Sequence, residues 1–125
     1  METIRTNLDS TTLSDIVDRI RRVANPRRIV LFGSRARGDH RPDSDIDLLV
    51  IEDSPLPRHR RAIPLYAALS DLHLDVDAEV IVYTPAEVEN WRGASAAFVT
   101  TALREGKVLY EADQFVQDRI PKSPT

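Results

Sequence analysis

Gly33-Ser34, ten intervening residues and then Asp45-Ile46-Asp47 bring small, basic and acidic residues into one short window. Asp45 and Asp47 stand two positions apart at the start of an apolar run, so in a strand both carboxylates project to one face. Ile46, Leu48 and Val50 then project to the other, where a core can cover them. Neighbouring carboxylates repel and are costly unless a cation lies between them. Hard oxygen ligands of this kind suit Mg²⁺ or Mn²⁺, which take one or two carboxylates and leave other positions to substrate phosphates. Upstream, Gly33 lets a backbone come close to a ligand, and Ser34 opens a turn whose free N–H groups can receive phosphate oxygens. Arg35 and Arg37 can add charge near the same phosphates. A cation site facing a phosphate cradle across one loop is what metal-assisted phosphoryl or nucleotidyl transfer requires.

Three other phosphate or cation loops fail on particular residues. Gly33 and Gly38 have Walker spacing, but Asp39-His40 follow where Lys-Ser/Thr is needed. An EF-hand begun at Asp43 has Leu48 at its sixth position, where Gly is required, and Ser54 at its twelfth, where Glu is required. A dinucleotide fingerprint lacks its middle glycine.

The elements that must hold this window follow from periodicity and punctuation. Residues 1–11 read as a flexible leader, 12–112 as one domain and 113–125 as a tail in which Phe115, Val116 and Ile120 can dock. Leu13, Ile16, Val17, Ile20 and Val23 recur at helical spacing, with Thr12 as the expected N-cap and Asn25-Pro26 as the stop. Strands are expected over 28–32, 45–51 and 75–83, with a last short one over 107–110. A helix carrying Leu65, Ala68, Leu69 and Leu72 follows the Pro-rich connection 54–57, and Pro64 either starts or kinks it. Thr84-Pro85-Ala86-Glu87 is a helix start with Thr as N-cap, Pro at the first position and Glu closing a capping box. A further helix is expected over 95–105, with Phe98, Val99, Ala102 and Leu103 inward and Gly106 as its stop. Alternating strands and helices give an α/β or α+β fold around one sheet.

The bulk composition narrows the alternatives. The 125 residues suit one domain, and the absence of cysteine excludes disulfides and thiolate sites. The net charge of -3 gives no support to a general nucleic-acid coating role, so direct nucleic-acid binding is not expected. No segment reads as a leader for export or as a membrane span, and a soluble cytoplasmic protein is expected.

The order Gly33-Ser34 to Asp45-Ile46-Asp47 resembles the nucleotidyltransferase superfamily related to DNA polymerase β. Within it, "LFGSRARG" and "SDIDLLV" resemble the minimal nucleotidyltransferase, or MNT, domains, over roughly residues 12–110. The resemblance implies the polymerase-β-like fold, a small mixed sheet packed with helices. It also implies ATP as substrate, a two-metal Mg²⁺ site that Mn²⁺ can fill, and an antitoxin role. Such proteins transfer AMP to a tyrosine of a partner HEPN-family toxin, an RNase. A third acid on a neighbouring strand is implied too, usually an Asp with four residues between it and a Thr-Pro. Here that count falls on Glu79, with Asp77 as the alternative if the register slides by two; Asp75, Asp77 and Glu79 share one parity. Glu in place of Asp moves the carboxylate by about an ångström, which matters for reaction geometry.

On this resemblance the expected catalytic and metal-holding residues are Asp45, Asp47 and Glu79, and Gly33, Ser34, Arg35 and Arg37 face the nucleotide. Two rivals remain open. One is a non-catalytic module that binds nucleotide and silences its partner by occlusion. The other is a small-molecule nucleotidyltransferase of the aminoglycoside-modifying kind, whose acceptor wall a homodimer would have to supply. The partner and any hetero- or homo-oligomer are not written in this chain. Elsewhere, Arg58-His59-Arg60-Arg61 reads as a solvated basic face, and His40, His59 and His73 as surface residues. Trp91 reads as the anchor of the helix after Thr84, and Tyr66, Tyr83 and Tyr110 as core-edge residues.

Overall fold

The computed structural model describes residues 9–74, 76–91 and 98–112. The first helix, α1 (Ser10–Val23), is capped by the Asp9 side chain, which accepts the Thr12 amide at 2.9 Å. The expected cap, Thr12, is instead buried inside the first turn at 3% exposure. Arg28–Phe32 forms β1, and the one-turn helix α2 (Ser34–Arg37) follows it directly. Next come β2 (Ile46–Ile51), α3 (Arg58–Arg61) and α4 (Ile63–Leu69), with Pro64 in the first turn of α4, where its missing N–H costs nothing. The chain ends its described part with β3 (Ala78–Tyr83), α5 (Pro85–Trp91), α6 (Phe98–Glu105) and β4 (Lys107–Glu111).

The four strands form one mixed sheet in the order β3-β2-β1-β4. β1 is antiparallel to both β2 and β4, while β2 and β3 run parallel. A parallel neighbour needs a crossover, and the segment holding α3 and α4 supplies it. Two cores result. On one face Ile16 and Ile20 of α1 and Leu65 and Leu69 of α4 pack over Ile29, Leu31, Leu48, Val50, Val80 and Val82. On the other, Val99 and Ala102 of α6 and Val88 of α5 cover Val30, Leu49 and Ile51. The central strands are thus buried on both sides, which explains their nearly unbroken apolar sequence.

The third strand is shorter than its alternating sequence predicts. It starts at Ala78 rather than 75, because its pairing with β2 begins only at Ile46. Likewise Asp45 precedes β2 instead of opening it. The capping box at α5 forms as read: the Thr84 amide donates to Glu87 Oε1 at 2.9 Å, and the Glu87 amide donates to Thr84 Oγ1 at 3.2 Å. The expected roles of Asp75, the Trp91 and Phe98 side chains, the start of the helix before Phe98 and the docking of Phe115, Val116 and Ile120 fall outside the described residues. No described helix is long and apolar enough to cross a membrane.

Candidate active site

The site grows from the end of the sheet where β1 leaves and β2 enters. Phe32 pairs with Asp47 across β1 and β2, and Asp47 pairs with Glu79 across β2 and β3. Equal registers put the Asp47 and Glu79 side chains on the same sheet face, the one carrying Leu49 and Ile51 farther along. Asp47 is half-buried and Glu79 is exposed. Burial, the largest cause, and then the charges of Glu79 and Asp45 push the Asp47 carboxyl above its ordinary value of 3.8. A hydrogen bond with Glu79 adds to the rise, and the nearby Arg37 opposes it. Asp45 is exposed and lies next to the strand.

Gly33 ends β1 and caps α2 with φ +77°, a conformation that a side chain rarely allows. A Cβ placed there would run into the Asp47 carboxylate and stand 3.2 Å from its Cγ. Gly33 is therefore the residue that lets the turn after β1 and the acidic strand lie against each other. Ser34 opens α2 directly beyond it.

The two expected phosphate arginines separate. Arg37 is exposed, its charge acts on Asp47, and its Nε reaches Asp39 at 3.3 Å. Arg35 differs from the sequence expectation: it is 6% exposed, and its guanidinium donates to backbone carbonyls rather than facing the open side. Nε and Nη2 reach the Ser44 carbonyl at 3.1 and 2.9 Å, and Nη2 reaches the Pro42 carbonyl at 3.2 Å. Asp77, the alternative third acid, lies just ahead of β3, and its carbonyl accepts the Ile46 amide at 2.8 Å. Glu79 is the acid that meets Asp47 in register.

Two contributors were hidden from sequence reasoning. The Tyr66 hydroxyl accepts the Val80 amide at 2.8 Å, tying α4 to edge strand β3 one residue from Glu79. No local signal marks that role. Arg61, read as part of a solvated basic face, is 9% exposed. It donates to both Glu87 carboxylate oxygens, at 2.7 and 3.1 Å, and to the Leu56 carbonyl at 2.8 Å. Arg58, His59 and Arg60 do remain exposed, as do His40 and His73.

The four-stranded mixed sheet with its helices matches the polymerase-β-like nucleotidyltransferase fold, and the chain belongs to the family described as Polymerase beta, Nucleotidyltransferase, which matches residues 14–115. It is 32% identical over 90 residues to a protein of Methanocaldococcus jannaschii assigned as a protein adenylyltransferase, spanning 66% of this chain and 82% of that one. A solved toxin–antitoxin with AMP-PNP aligns with a TM-score of 0.57 at 24% identity over 85% of this chain and 82% of that one. A complex of a tri-AMPylated Shewanella oneidensis HEPN toxin with its MNT antitoxin aligns with a TM-score of 0.51 at 22% identity, covering 84% and 74%. These two structural likenesses are of fold.

Proposed function

We propose that this chain is a Mg²⁺-dependent adenylyltransferase that moves AMP from ATP to a tyrosine of a HEPN-family toxin, and so acts as its antitoxin. The family membership and the adenylyltransferase relative support the reaction class. The likeness to an MNT antitoxin seated on an AMPylated HEPN toxin supports the partner. The observation that carries the reading is the carboxylate pair: Asp47 and Glu79 face one another across β2 and β3 while Gly33 brings the preceding turn onto Asp47.

The donor set fits a hard divalent cation. It consists of oxygen ligands only, and burial together with their mutual repulsion raises the proton affinity of Asp47. Asp45, Asp47 and Glu79 would hold Mg²⁺, which when bound neutralises charge on the triphosphate and the departing pyrophosphate. The chain's own work is positioning and proton handling. The Gly33-Ser34 turn presents backbone N–H groups to phosphate oxygens, and Arg37 adds charge from the open side. The acceptor phenol oxygen attacks the α-phosphorus, the bond to pyrophosphate breaks, and an oxygen of the Glu79 carboxylate receives the phenol proton. The test is transfer of labelled AMP to the partner: Asp45→Asn with Asp47→Asn abolishes it while the protein stays folded, and retained transfer refutes the mechanism.

A second reading, silencing by occlusion alone, draws on one observation: among the described residues no three acids or histidines already converge on a common cation position. Glu79→Ala separates the two readings. Unchanged neutralisation with an intact complex supports occlusion; lost neutralisation with an intact complex supports transfer.

A further inference from the structure

The two halves of the site are joined by ten residues that include an exposed loop, yet Asp45 has to stand in a fixed place beside Asp47. Something must hold that loop. Its far end is a tight turn: the Ser44 amide donates to the Arg41 carbonyl at 3.0 Å, and the Arg41 amide donates to Ser44 Oγ at 2.8 Å. That turn is closed by short-range bonds. The Arg35 guanidinium ties it down with the three bonds to the Ser44 and Pro42 carbonyls. Arg35 belongs to α2, the turn begun by Gly33-Ser34. The Ser44 carbonyl is part of the peptide that leads into Asp45, so fixing it fixes the backbone from which the Asp45 carboxylate projects.

We infer that Arg35 is a positioning residue, a buried brace through which the phosphate-side turn sets Asp45 beside Asp47. This inference rests on the nucleotidyl-transfer reading for its purpose, while the brace itself rests on contacts alone. A planar guanidinium suits the task because its fork spans two carbonyls in fixed directions, and a lysine ammonium has no such fork. The role differs from a phosphate contact in a measurable way. A phosphate contact governs nucleotide affinity, whereas the brace governs loop order and cation affinity. Residues that orient metal ligands from behind typically change cation affinity about 10- to 100-fold when replaced.

The experiment compares the full chain with its Arg35→Lys and Arg35→Met variants, the lysine serving as the gentler change where the methionine variant folds poorly. Backbone hydrogen exchange over 39–45, Mn²⁺ binding followed by electron paramagnetic resonance, and ATP binding in EDTA are measured on each. The inference expects at least about tenfold faster exchange over 39–45, about tenfold weaker Mn²⁺ binding and unchanged ATP binding in EDTA, with lysine failing to rescue. Unchanged exchange in both variants overturns it. So does weaker ATP binding in EDTA with exchange unchanged, which would return Arg35 to the phosphates. Failure of the parent chain to bind Mn²⁺ would count against the transfer reading, and loop exchange would still decide the brace.

Discussion

Asp47 and Glu79 are direct partners in the parallel pairing of β2 with β3, and the charge of Glu79 adds to the burial that raises the Asp47 carboxyl above its ordinary value. Two acids placed in register on adjacent strands weaken a sheet when nothing lies between them. Here the pairing persists because both strands are anchored by buried neighbours, Leu48 and Val50 on one strand and Val80 and Val82 on the other. The structure therefore maintains an unfavourable pair where a cation would relieve it.

Neutralising Asp47 should stabilise the cation-free protein. Its carboxyl titrates high because burial and two acidic neighbours disfavour the charge. Asp47→Asn removes that charge at neutral pH and keeps the shape. An increase in unfolding free energy is expected, measured by urea titration in EDTA. Adding Mg²⁺ should stabilise the parent chain and leave the variant unmoved.

Gly33→Ala should separate stability from activity. The positive φ with an extended ψ is a conformation essentially confined to glycine, and it costs on the order of 1–3 kcal/mol for a residue with a Cβ. The same Cβ would displace the Asp47 carboxylate. A shift of about 1 Å at the reacting centre can lower the rate roughly a hundredfold. AMP transfer should therefore fall about a hundredfold in a protein whose thermal midpoint drops by only several degrees, as checked by calorimetry beside a transfer assay.

The Arg61–Glu87 pair predicts an acid-side weakness. The hydrogen bond from Arg61 holds the Glu87 carboxyl below its ordinary value of 4.5, aided by the Thr84 amide and opposed by burial. A depressed carboxylate contributes stability that is fully present above 4.5 and is lost as pH falls through the lower folded-state value. Glu87→Gln should lower stability at pH 7 by about 1–3 kcal/mol, since bonds to a charged partner are of that order. It should also flatten the loss of stability below pH 4.5, as followed by urea titration at stepped pH.

The parts of the site that were legible in sequence are the local ones. Gly33-Ser34 and Asp45-Ile46-Asp47 are set by backbone conformation and alternation within a few residues. The Thr84–Glu87 capping box is equally local, and it forms as read. Long-range packing decided the rest. Arg61 and Arg60 are adjacent in sequence, yet only Arg61 turns inward, because Glu87 and the Leu56 carbonyl await it. Arg35 looked like Arg37 until the loop folded back and gave its guanidinium carbonyls to hold. Strand β3 was read as including Val76 and Asp77 because its alternation continues past the point where β2 offers a partner. The helix cap moved from Thr12 to Asp9 because either residue can cap, and burial of Thr12 settled which does.

The most direct measurement is the intact mass of a HEPN-family partner after incubation with this chain, ATP and Mg²⁺. The account predicts an AMP-sized increment that disappears in EDTA and with the Asp45→Asn, Asp47→Asn double variant, and that maps to a tyrosine. An unmodified partner in a stable complex, with Mg²⁺ and ATP present, would contradict it.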